Sequence, residues 1–212
     1  MKSGDLLHNE LLNLLMQHPS QQHIKNIAAR IGSDEQLIAT TITLGRKHHG
    51  RAANHASWVM RKLFDEDLHL LLHFREELFE WVLETEADSV RRNLLPLLTA
   101  YLSNTFVAQS ELVGQVYFKC LEWADSERYA ISVRCNAMEY LAKTASIEPA
   151  LKQELLPLFE MIHQHAEGGV WVRSRQILEG FRNSEQAHRR KKQAGKCSPK
   201  ENREDGKKEN LK

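Results

Sequence analysis

Backbone punctuation is scarce in this chain. Of 212 residues, 10 are glycine and 5 are proline, which excludes collagen-like and low-complexity sequence. β-Branched apolar residues are sparse as well: 9 Ile and 9 Val stand against 29 Leu. Straight and γ-branched side chains keep most of their rotamers in a helix, so this balance points to an all-α chain and away from a β-sandwich. The three cysteines, Cys120, Cys135 and Cys197, form no CxxC pair and no zinc spacing. Their odd number and wide separation argue against a disulfide framework and for a reducing, cytoplasmic setting. No run of 18 apolar residues occurs, so no membrane-spanning segment is expected. Asp5, His8 and Glu10 break up the leucine-rich start, which is not a signal peptide. Its polar face lacks the lysines of a helix that lies on a bilayer. Charge of one sign is missing too: 29 Lys and Arg oppose 28 Asp and Glu, a net +1.

What is present is leucine at helical spacing. Apolar residues, 42% of the chain, recur at i, i+3 and i+4 between short polar or glycine breaks. Ten helices are expected, near 5–18, 20–31, 33–46, 50–64, 67–84, 88–102, 105–124, 128–145, 147–166 and 169–182. Ser20, Ser33 (with Gln36 as a capping box), Asp88 and Ser146 read as starts. Gly32, Gly45 and Gly168-Gly169 read as stops. Pro96 and Pro157 fall inside helices, where each removes a backbone donor and kinks the axis. The connections are short, so consecutive helices pack as antiparallel neighbours.

The helices also come in similar pairs. The second helix of each later pair carries an arginine near its start: Gly50-Arg51-Ala-Ala-Asn54, Val90-Arg91-Arg-Asn93, Val133-Arg134-Cys-Asn136 and Val172-Arg173-Ser-Arg175. These arginines are 40, 43 and 39 residues apart, a period that marks an α-solenoid. The first pair is shorter, with Ile24-Lys25-Asn26 at the corresponding place, as suits an end of an array. An acidic turn precedes Val-Arg in Glu86-Ala-Asp88-Ser-Val90-Arg91. Longer or looser versions are Ser126 to Arg134 and Glu167 to Arg173. With these features the chain resembles the HEAT-repeat family over about residues 1–183. The resemblance implies a right-handed solenoid of about five helix pairs in 1–184. It also implies a structural ladder of Arg91, Arg134 and Arg173, with Asp88 the matching acid. Residues 185–212 hold Leu211 as their one large aliphatic residue and no aromatic, so they read as a disordered basic tail.

The neutral sum hides a pattern. The tail has ten basic and five acidic residues, +5, and the body is −4. Within the body the first helices and adjoining turns total −15 and the second helices +10. The resemblance puts second helices on the concave face, so a basic groove is expected there, backed by an acidic convex surface. The candidate partner-binding residues are Arg51, Arg61, Lys62, Arg92, Arg134, Arg175 and Arg182, with Trp58 and Trp171 as candidate stacking residues. Ladder pairing and the helix dipole give an ordinary structural reason for many of these charges.

Sites of chemistry find little footing. His69 and His73 stand four apart with Glu76 and Glu77 beside them, but no HExxH and no third ligand follow, so no metal is expected. His48-His49 and His163-x-His165 lie at helix ends, where imidazoles meet terminal carbonyls. No Walker, G-x-S-x-G or G-x-G-x-x-G pattern occurs, and Cys120 and Cys135 read as core. Some HEAT-like solenoids are DNA glycosylases that use aromatics and an acid on the concave face. Here no second-helix interior holds an aspartate, and Trp81 and Trp123 belong to first helices. The run Arg189-Arg190-Lys191-Lys192 reads either as a source of sequence-independent attraction to nucleic acid or a membrane surface, or as a solubilising tail. The expectation is a cofactor-free, non-enzymatic monomer whose concave face binds an acidic peptide or protein. The alternative is a nucleic-acid-binding solenoid that contacts phosphates through that face and the tail.

Overall fold

The computed structural model describes residues 3–18, 20–103 and 110–194. Among them it has ten α-helices: α1 Ser3–Met16, α2 Gln21–Ile31, α3 Glu35–Lys47, α4 Arg51–Glu66, α5 Arg75–Glu84, α6 Asp88–Tyr101, α7 Glu111–Asp125, α8 Ile131–Ile147, α9 Ala150–His165 and α10 Gly168–Ala194, with a 3₁₀ segment at Leu68–Phe74. No strand occurs among the described residues. α3 packs on α4, α5 on α6, α7 on α8 and α9 on α10, while α1 rests chiefly on α4. The second helices also touch in sequence, α2 on α4, α4 on α6, α6 on α8 and α8 on α10, and they do so more closely than the first helices touch one another. A stack bends toward its closer row, so the even-numbered helices line the inner side of an all-α, HEAT-like solenoid. One apolar core runs through all the pairs, and Trp81, Trp123, Tyr140, Phe79 and Phe159 are its largest fully buried side chains.

Several local starts and stops differ from expectation. Ser20 does cap α2, accepting from the His23 N–H at 3.0 Å. Gly32 does end it, at φ 51°. Asp34 rather than Ser33 caps α3, one carboxylate oxygen taking the N–H groups of Gln36 and Leu37 at 2.9 and 3.0 Å. A charged acceptor outcompetes a hydroxyl there. Gly45 is not a stop: α3 continues to Lys47, and the glycine makes room for the Trp81 indole. Ser146 is not a start. It lies within α8, bonded to the Lys143 carbonyl, and Pro149 precedes α9.

The expected helix over 67–84 is split. Asp67 caps a 3₁₀ segment, in which Leu71 and Phe74, three apart, share one face as the tighter helix requires. The Leu68 carbonyl accepts from the Tyr101 hydroxyl at 2.8 Å. α10 runs ten residues past the expected boundary at 184, through Glu-Gln-Ala-His-Arg-Arg-Lys-Lys-Gln-Ala. That stretch has no glycine or proline and is rich in good helix formers, which favours continuation of the helix. The expected helix start at 105 and the tail over 195–212 lie outside the described residues.

Candidate interaction surface

The Val-Arg motif builds the joints between pairs. Arg91 is 9% exposed. It donates to the Asp88 carboxylate at 3.2 Å and to the Thr85 carbonyl, at the end of α5, at 2.6 Å. Its guanidinium lies 4.9 Å from the Trp123 ring centroid and 5.4 Å from that of Tyr129, favourable cation–π placements. The second oxygen of Asp88 accepts the Ala130 N–H at 2.7 Å, tying α6 to the start of the next pair. The other two motif arginines follow different routes. Arg134 donates to the Ala124 carbonyl at 3.2 Å, and Arg173 pairs with Glu139 of α8 at 2.7 Å.

The asparagines of the same motif proved equally structural, although sequence reasoning gave them no role. Asn54 accepts from the Ser89 hydroxyl. Asn93 donates to the Ser57 hydroxyl at 3.0 Å, and Asn136 to the Arg92 carbonyl at 3.0 Å. With Glu139–Arg173 they lace α4, α6, α8 and α10 together. Their recurrence two or three residues after the arginine was the signal.

The seven candidate basic residues divide sharply. Arg51 caps the Met16 carbonyl at 3.1 Å. Arg61 and Lys62 both hold Asp65, at 2.8 and 3.1 Å, and together they pull its pKa below the usual carboxylate range against the opposing effect of burial. Arg134 is engaged as above, and Arg175 pairs with Glu179 at 2.8 Å. Arg92 and Arg182 are exposed. Of the candidate stacking residues, Trp58 is half-buried against the core. Trp171 is 38% exposed, stacks on His163 at 5.2 Å and has Arg175 at 5.7 Å.

In the first-helix row Arg46 ties α3 to α5. Arg46 of α3 reaches Glu80 at 2.9 Å and Glu84 at 2.5 Å, and its pKa is raised chiefly by the hydrogen bond to Glu84. His69 and His73 lie in or beside the 3₁₀ segment, without the α-helical register a metal pair needs. Among the described residues no group of three or more His, Cys, Asp or Glu is placed to hold a metal ion. Cys120 is fully buried and burial pushes its thiol well up; Cys135 is half-buried and shifted the same way. Both are thereby kept as unreactive thiols at neutral pH. No helix among the described residues is long and apolar enough to cross a membrane.

These paired helices, their inner row laced by side chains at a forty-residue period, define an α-solenoid. A HEAT repeat domain model matches residues 11–181, and the chain belongs to the HEAT-repeat family. No curated protein and no solved structure matches it. HEAT repeats generally serve as protein-interaction scaffolds.

Proposed function

We propose that the chain is a cytoplasmic, non-enzymatic scaffold whose inner, second-helix surface binds a protein partner of acidic character. The observation that carries this reading over nucleic-acid binding is the internal engagement of Arg51, Arg61, Lys62, Arg134 and Arg175. A protein that grips a phosphate backbone needs many cations free to displace counterions. A surface with a few exposed cations, Arg92 and Arg182 among them, between apolar and polar neighbours suits the mixed chemistry of a protein interface. Two measurements test this. Mobility shifts with duplex and single-stranded DNA at low salt are expected to show no complex; a retained complex with a steep salt slope would restore the nucleic-acid reading. Affinity purification with cross-linking is expected to recover a stoichiometric partner that is lost on Arg92→Glu combined with Arg182→Glu.

A further inference from the structure

A large, mainly apolar opening lies between α8 and α10, at the edge where α8 hands over to α9. It is a groove of about 870 Å³ walled by Ala142 and Ala145 of α8, Ile177 and Phe181 of α10, and Pro149 and Lys152 from the start of the last pair. The repeat register explains why it is open there. Counting from Asn54, Asn93, Asn136 and Arg175, the position nine residues on is Leu63, Leu102, Ala145 and then Ser184, and the position five on is Val59, Leu98, Leu141 and then Gly180. In the earlier pairs these are buried core residues. In the last pair the side chains shrink and the stack thins.

Gly180 is the sharpest sign. A Cβ built on it meets no atom within 4 Å, so packing does not require glycine, although glycine inside a helix costs about 1 kcal/mol relative to alanine.

Lys152 is the one charged side chain in the groove lining. No Asp or Glu lines it. Lys152 reaches across its base to the Phe181 carbonyl and the Ser184 hydroxyl. Lys143 and Arg182, each next in sequence to a lining residue, are exposed. Glu148, Glu154, Glu179 and Glu185 are the acids nearby in sequence, of which Glu179 is paired with Arg175.

We propose that this groove docks an amphipathic helix of the partner protein, with apolar side chains at i and i+4 laid over Gly180 between Ile177 and Phe181, and acidic residues facing Lys152 and the neighbouring Lys143 and Arg182. This is the helix-in-groove mode, in which an apolar stripe supplies affinity and flanking charge sets the choice of partner. The inference rests on the scaffold reading and gives it a location.

The test uses the full chain with two stapled helical peptides. Both bear leucines at i and i+4; one carries glutamates on its polar face and the other lysines. The glutamate peptide is expected to bind, to shift backbone amides at 142–146 and 177–184, and to weaken with salt, while the lysine peptide does not bind. The Cβ of Gly180→Leu meets no neighbour and leucine is the better helix former, so the variant is expected to keep or raise the melting temperature and to weaken binding about tenfold or more. Lys143→Glu with Arg182→Glu is expected to reduce both affinity and salt dependence. Failure of the glutamate peptide to bind, equal binding of both peptides, amide shifts elsewhere, or indifference to Gly180→Leu would each overturn the proposal. So would groove amides that change on dilution, which would mark a second copy as the occupant, or on removal of 195–212, which would mark the tail. A stoichiometric cellular partner that survives Gly180→Leu but not the Arg92→Glu, Arg182→Glu pair would sink the groove and leave the scaffold. The absence of any such partner would sink the scaffold itself.

Discussion

Gly45 and Gly180 both sit inside helices, and their surroundings are opposite. A Cβ on Gly45 would overlap Cη2 and Cζ2 of Trp81 and lie 3.0 Å from the Cβ of Ala56, whereas a Cβ on Gly180 would meet nothing. In the first place the glycine is demanded by packing, because a buried indole on α5 presses against the backbone of α3. In the second it is permitted by an absence of packing, where the stack of large side chains gives out. The same residue type thus stands at a tight joint of the solenoid and at an open one. The two ends of the array also close differently. At the N-terminal end His23, His55 and Arg51 cover three consecutive carbonyls of α1, those of Leu14, Leu15 and Met16, at 2.9, 2.6 and 3.1 Å. At the C-terminal end small residues leave a groove.

Gly45→Ala offers the largest break in that contrast. Alanine gains about 1 kcal/mol of helix propensity, but Trp81 is 2% exposed and has nowhere to retreat, so overpacking of about 3 kcal/mol outweighs the gain. A net loss of about 2 kcal/mol is expected in chemical denaturation. Trp81→Leu destabilises the protein by itself, yet in that background Gly45→Ala should become neutral or stabilising. A double-mutant cycle without coupling would show that the indole does not set the glycine.

The capped end should respond to acid. His55 is buried, donates through Nδ1 to the Leu15 carbonyl, and has its pKa lowered by burial first and then by the charges of Arg51, His23 and His18. Because the folded form releases that proton more readily, the unfolded chain binds more protons once pH falls below the ordinary histidine value of about 6.5. Stability is therefore full above that value and declines as pH drops from it toward and below the folded pKa. Urea midpoints between neutral and mildly acidic pH should follow this slope. His55→Asn keeps a donor for Leu15 and cannot charge, so it should remove part of the slope; an unchanged slope would place the acid sensitivity elsewhere.

The architecture was legible because it is written in periodic quantities. Leucine spacing located the helices, the Arg51, Arg91, Arg134 and Arg173 period paired them, and tryptophans assigned to first helices, Trp81 and Trp123, are buried as expected. What sequence could not weigh was competition among neighbours in space. Asp34 displaced Ser33 as a cap because both lie within one residue of the same orphan N–H groups. Gly45 looked like a stop because Trp81, thirty-six residues on, is invisible to local pattern. Summed helix charge suggested a basic inner face, but a sum does not reveal that Asp65 faces both Arg61 and Lys62, or that the Ala124 carbonyl takes Arg134. The groove was hidden for the same reason, since small residues in one pair acquire meaning only against the larger ones at the same register in the others.

Gly180→Ala has the smallest expected effect and the opposite sign to Gly45→Ala. Nothing obstructs the added methyl, and the residue lies well inside α10, so the change acts mainly by narrowing the unfolded ensemble and should raise stability by about 1 kcal/mol. A rise in melting temperature with an unchanged denaturant slope would show that the native protein has room for the methyl at Gly180. A loss of stability would instead mean that a neighbour already occupies that space in solution, and the open end of the solenoid would have to be redrawn as a closed one.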